Sequence, residues 1–291
     1  MALPQPNLYP AFNIVRLSHV ELAVTDLAKS RAFYVDTLGL QVTDETSGAI
    51  YLRAMEERGH HCIVLRKGTT PEARDLGFKV FSDEDLDKAE HFFKAKGLPV
   101  EWVERPYQSR TFRTRDPHGI PLEFYSRMER LPPIHQKYAL YKGVKPLRID
   151  HFNCFSPNVD ESAAFYNELG FRVTEYTQDE ASGRLWAAWM HRKGGVHDIA
   201  FTNGVGPRLH HVAFWVPTPL NIIDKAPSAE LRPNQTDQDR QVLMRWAGDV
   251  QRQGQRQLLL IAARQRRCRH TVRCANAKGL ARLLPARVPR S

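Results

Sequence analysis

Four cysteines in 291 residues, Cys62, Cys154, Cys268 and Cys274, are too few and too scattered for a disulfide framework. That fits a reducing compartment. Long apolar runs are missing as well, so nothing in the chain is expected to span a bilayer. The opening MALPQPNLYPAF lacks the charged start and apolar core of a secretory leader. Together these absences predict a cytoplasmic protein without a membrane partner.

The end of the chain lacks more. After Asp224 there is no Phe or Tyr, a single Trp (Trp246), and four acidic residues against fifteen Lys and Arg. Up to Asp224 the count is 27 basic to 28 acidic, so the overall charge of +10 belongs entirely to the tail. A body at net −1 has no general attraction for nucleic acid, and none is expected as a partner. The Arg-rich tail has no interleaved aromatics, and Cys268, His270 and Cys274 fit no standard zinc spacing. It reads as low-complexity chain rather than a phosphate-binding arm.

What is present is a repeat. From Val15 the chain alternates through LSHVELAV as a strand with Val20, Leu22 and Val24 on one face. Thr25 or Asp26 then caps a helix that buries Leu27, Phe33 or Tyr34, and Leu38, and stops at Gly39. Strands follow at Ala49 to Arg53 and His61 to Leu65. The pattern restarts at Leu76 with GFKVFS. A helix capped by Ser82 buries Leu86, Ala89 and Phe93, and strands follow near 100–103, 110–114 and 121–125. Residues 15–126 therefore form one domain of two similar halves, and 127–147, with Pro132, Pro133 and Pro146, form a connector.

Beyond the connector the first pass recurs. HVELAVTDLAKSRAFYVDTLGL from His19 lines up with HFNCFSPNVDESAAFYNELGF from His151. Setting LGFKVFS at Leu76 against LHHVAFW at Leu209 places Phe78 opposite His211, which would leave the first domain, with His19 and Glu123, one ligand short of a metal site. The fold class is α+β, with tandem βαβββ modules and a second domain, 148–224, that breaks off half-way. Residues 225–291 form an atypical basic tail.

Two strands carry the candidate site. Side chains alternate along a strand, so His151 and Asn153 of RIDHFN share one face, and His211 and Ala213 of GPRLHHVAFWV share another, while His210 points away. If both strands lie in one curved sheet, their histidines meet. Each histidine taken alone could equally be a satisfied core residue.

RIDHFN at Arg148, AAWMHRKGGVHD at Ala187, NGVGPRLHHVAFWV at Asn203 and RDPHGIPLEFY at Arg115 resemble the extradiol ring-cleaving catechol dioxygenases of the vicinal oxygen chelate superfamily. Within them the chain is most similar to the group that opens 3,4-dihydroxyphenylacetate. The resemblance spans about Val15 to Asp224. It implies a mononuclear Fe(II), or Mn(II), held by two histidines and one carboxylate, with a small-molecule catechol and O2 as substrates and a homo-oligomeric assembly. On that resemblance His151 and His211 are metal ligands, His197 is an acid–base residue, Asn153 hydrogen-bonds substrate oxygens, and Trp189 lines the substrate pocket. Read without it, His197 is a surface loop histidine, Asn153 an ordinary strand residue and Trp189 core packing.

The third ligand that the resemblance implies, a carboxylate, has no counterpart in this sequence. Glu230, Asp237, Asp239 and Asp249 are the acidic residues left after Asp224, and none has a strand-like context. Either the chain is a scaffold without a complete metal site, or the tail is translated out of frame. Read one base later, codons for Ala263 to Cys268 permit an Arg-Asp-Asn-Asp-Gly turn of the kind expected there, though not the Glu itself.

Overall fold

The computed structural model describes residues 3–192, 197–218, 221, 242–245 and 258–263. In the first domain β1 (Ile14–Val24) leads to α1 (Leu27–Arg31), which runs on into a π-helical turn (Ala32–Thr37). Strands β2 (Gln41–Glu45), β3 (Ala49–Arg53), β4 (Ile63–Lys67) and β5 (Glu72–Val80) follow, then α2 (Asp83–Ala95), β6 (Glu101–Val103), β7 (Thr111–Arg115) and β8 (Pro121–Tyr125). After a short 3-10 turn (Tyr138–Leu140) the second domain runs through β9 (Arg148–Ser156), α3 (Val159–Glu168), β10 (Arg172–Gln178), β11 (Leu185–His191), β12 (Ile199–Asn203) and β13 (Arg208–Trp215). Two segments of the tail, β14 (Val242–Arg245) and β15 (Leu258–Ala263), are strands where the sequence suggested none. The other residues of the tail lie outside the described ones, as do the four acidic candidates.

Helix starts follow the capping chemistry. Asp26 Oδ1 accepts the Lys29 N–H at 2.9 Å, Ser82 Oγ that of Asp85 at 3.2 Å, and Asn158 Oδ1 that of Glu161 at 3.3 Å. Each satisfies a donor that has no partner within the helix. Leu86, Ala89 and Phe93, spaced three and four apart along α2, are fully buried, as the pattern requires. Gly39 adopts φ +88°, and a Cβ there would fall 1.9 Å from the Lys142 carbonyl oxygen. The turn at the end of the first helix therefore needs glycine twice over.

Two sheets result, ordered β2-β3-β4-β1-β5-β8-β7-β6 and β10-β11-β12-β9-β13-β15-β14. They share one apolar core, in which the Phe78 ring lies 6.1 Å from Phe152 and 5.8 Å from Phe171. Alternation along the strands turns the intervening residues, among them the histidines, to the opposite face.

Register corrects the internal alignment. Glu21 pairs with Asp75 as Asn153 pairs with His211, and His19 pairs with Gly77 as His151 pairs with Ala213. Phe78 pairs with Leu17 as Phe214 pairs with Ile149. The residue in the place of His211 is thus Asp75, three positions before Phe78. Pairing geometry fixes equivalence in a sheet, whereas matching the two strings by side-chain type slid them past one another.

The two sheets part company at the tail. In the first, β8 runs parallel to β5 and sets Glu123 beside Gly77. In the second, β15 holds that place in the order but runs antiparallel to β13, setting Leu260 beside Ala213. The register position of the carboxylate is therefore a leucine.

Candidate metal centre

His151 comes from β9 and His211 from the neighbouring antiparallel β13. Both are buried, with exposures of 3% and 6%. Their Nε2 atoms lie 3.1 Å apart. Two adjacent donors on one first-row metal, each about 2.1 Å from it at a right angle, stand about 3 Å apart, so the two imidazoles fit a shared ion. Burial, followed by the neighbouring His151, His210 and His197 rings, pushes the His211 pKa down to about 2. Its ring is neutral at working pH and has a lone pair to give.

His197 is not a surface residue. It stands just ahead of β12, where Asp198 donates its N–H to the Met190 carbonyl at 2.8 Å and accepts the Phe152 N–H at 3.0 Å. Those bonds hold it beside β9, 8% exposed, with its ring centroid 4.2 Å from that of His151. Three histidines far apart in sequence, 151, 197 and 211, are thus brought together.

Asn153 and Trp189 belong to one row across the sheet. Trp189 pairs with Ala200, Ala200 with Asn153 and Asn153 with His211, and paired residues project to the same side. The Oδ1 of Asn153 accepts a hydrogen bond from Thr202 Oγ at 3.2 Å, which fixes the amide and turns its N–H2 group elsewhere. His210 packs its ring edge-on to Phe155 at 4.8 Å and touches His211 through Nδ1. It is a neighbour of the site, made so by a break in register between Leu209 and His211 that simple alternation does not foresee.

Asp150 joins the site although strand alternation does not point to it. Its Oδ2 lies 2.8 Å from His151 Nδ1. Among the described residues, Asp150, His151 and His197 form the one group of three ligand-type side chains with donor atoms within 4.8 Å of each other. Adjacency to His151 was the available signal, but strict alternation assigns Asp150 to the other face.

The sequence profile of the Glyoxalase/Bleomycin resistance protein/Dioxygenase superfamily matches residues 16–124 and 148–230. A manganese-dependent 2,3-dihydroxybiphenyl 1,2-dioxygenase of Geobacillus genomosp. 3 is 29% identical over 228 residues, covering 73% of this chain and 72% of that protein. A metapyrocatechase of Geobacillus stearothermophilus is 28% identical, covering 75% and 70%. Among solved structures, homoprotocatechuate 2,3-dioxygenase of Brevibacterium fuscum in complex with 3,4-dihydroxyphenylacetate is 44% identical, with a TM-score of 0.72 and coverage of 77% of this chain and 71% of that one. For a variant of the same enzyme the match takes in 63% of the longer chain, less than two thirds of its length.

Proposed function

Because the chain belongs to the Glyoxalase/Bleomycin resistance protein/Dioxygenase superfamily, we propose that it is built to open a catechol ring beside its two hydroxyl carbons, with 3,4-dihydroxyphenylacetate as the substrate and O2 as the oxidant. The observation that carries this is the 3.1 Å approach of the buried His151 and His211 Nε2 atoms. His151 and His211 would hold Fe(II) or, as in one relative, Mn(II). When bound, the metal supplies a redox-active centre at which a catechol and O2 meet.

The rest of the work falls to the chain's own side chains. His197, beside His151, would hold and deliver a proton at an imidazole nitrogen, the residue type suited to proton transfer near neutral pH. Asn153, its Oδ1 engaged by Thr202, would offer its N–H2 group to a substrate oxygen. Trp189 would form the pocket wall in the same row. A cytoplasmic, homo-oligomeric enzyme of aromatic catabolism completes the reading. Among the described residues no helix is long and apolar enough to cross a membrane.

A second reading is a scaffold without activity. Leu260 at the register position of Glu123 favours it, because a facial site short of its carboxylate holds metal weakly. The protein loaded with Fe(II) without oxygen, then mixed with aerated 3,4-dihydroxyphenylacetate, separates the two. Uptake of one O2 per catechol with a yellow ring-opened product supports the enzyme, and no uptake supports the scaffold. Peptide mapping of the natural protein after Asp224 then shows whether the written tail is the one that is made.

A further inference from the structure

The first domain holds a cluster that the catalytic reading does not use. His19, Asp75 and Glu123 occupy the register positions that His151, His211 and Leu260 occupy in the second domain. All three are buried, with exposures of 2%, 1% and 1%. Between the two carboxylates lies one guanidinium. Arg105 donates from Nη2 to Asp75 Oδ2 at 2.7 Å and from Nε to Glu123 Oε2 at 2.8 Å. The other Glu123 oxygen lies 2.9 Å from His19 Nε2 and accepts from Gln108 Nε2 at 2.9 Å. The His19 ring lies over Gly77, where a Cβ would fall 2.2 Å from its Cε1.

We propose that His19, Asp75 and Glu123 are the second cation site of the duplicated fold, that Arg105 fills it with a guanidinium in place of an ion, and that it takes an oxygen-preferring divalent metal once that guanidinium is removed. Two carboxylates and an imidazole are the donors that suit Mn(II) or Fe(II) rather than thiolate-seeking ions. Charge accounts for the plug. Three buried carboxylates, Glu21, Asp75 and Glu123, face four guanidinia: Arg66, bidentate on Glu21 at 2.9 Å, Arg74, 3.8 Å from Glu21, Arg113 on Asp75 at 2.7 Å, and Arg105. Arg105 is the guanidinium that reaches Glu123, so removing it leaves that buried carboxylate facing the His19 imidazole and the Gln108 amide, which is costly in a low-dielectric interior and is met by a cation. The guanidinium, wider than an ion, also keeps Asp75 and Glu123 apart. In this arrangement the three side chains are not a group whose ligand atoms all lie within 4.8 Å of one another.

The test counts metal and does not depend on the catalytic reading. The full chain and its Arg105→Ala variant are stripped with chelator and titrated with Mn(II), free ion being read by electron paramagnetic resonance. Arg105→Ala should retain one more equivalent than the unaltered protein, and Arg105→Ala/Asp75→Asn/Glu123→Gln should return to the unaltered count. A variant that folds only when Mn(II) is added supports the proposal too. A folded Arg105→Ala protein with the unaltered count overturns it. If Arg105→Ala is unfolded with and without Mn(II), the triple variant decides. Cooperative melting of that variant shows Arg105 to be the counter-charge of the site. An unfolded triple variant shows that Arg105 acts through packing, and the proposal falls.

Discussion

Asp150 Oδ2 accepts the Nδ1–H of His151 across 2.8 Å. A carboxylate can only accept, so this contact fixes the proton of His151 on Nδ1 and leaves Nε2, the atom that faces His211, as a lone-pair donor. Asp150→Ala should weaken Mn(II) or Fe(II) binding about 10- to 100-fold, the range expected when the partner of a ligating histidine is lost. Asp150→Asn keeps an acceptor and should lose less. Metal titration of both variants checks the order, and equal losses would show that Asp150 does not set the tautomer.

Removing a ligand outright should cost more. His211→Ala deletes one of the two facing nitrogens and should lower metal affinity by more than the 10- to 100-fold range given for a supporting partner. His210→Ala, one residue away, removes a ring that rests on Phe155 and touches His211 through Nδ1, and should cost less. Parallel titrations separate the two, and a larger loss for His210→Ala would show that the site uses the wrong histidine of the pair.

Gly77→Ala probes the first domain. The new Cβ would meet three atoms of the His19 ring at 2.2 to 2.7 Å, and the ring is held by Glu123 on one side. Overpacking of this kind costs about 1–3 kcal/mol. Denaturant midpoints of the two proteins measure it, and an unchanged midpoint would mean that His19 moves freely.

Asp116 gives a pH dependence of definite sign. Burial raises its pKa from 3.8 to about 6, against hydrogen bonds from the His118 and Ile120 N–H groups. The folded protein keeps the proton up to about pH 6, while the unfolded chain releases it near pH 4. Stability therefore falls as pH rises through that window, by up to about 3 kcal/mol, and stays lower above it. Both N–H groups bond Oδ1, so Asp116→Asn preserves them and should abolish this part of the slope. Thermal unfolding between pH 4 and 7 measures the difference.

The strands and caps were legible because they follow from local rules. Asp26 and Ser82 cap where an acceptor stands ahead of an amphipathic run, and β3 lies at Ala49–Arg53, where a strand was expected. The equivalence of Asp75 with His211 was not legible, because a string comparison has no access to pairing partners. Nor was Asp150, whose approach to His151 contradicts ideal alternation.

By itself the sequence determined that two passes of one module occur and that His151, Asn153, Trp189, His197 and His211 are the residues to watch. It also showed that no acidic residue with a strand-like context follows Asp224. The repeat follows from patterns that act over a few residues, and the five residues follow from the motifs that resemble the extradiol dioxygenases. Only the tertiary structure decided that His151 and His211 meet at 3.1 Å, that His197 is buried beside them, and that Arg105 bridges Asp75 and Glu123. Those contacts join residues up to 60 positions apart, and a distance across a sheet is set by register and twist, which no local pattern encodes.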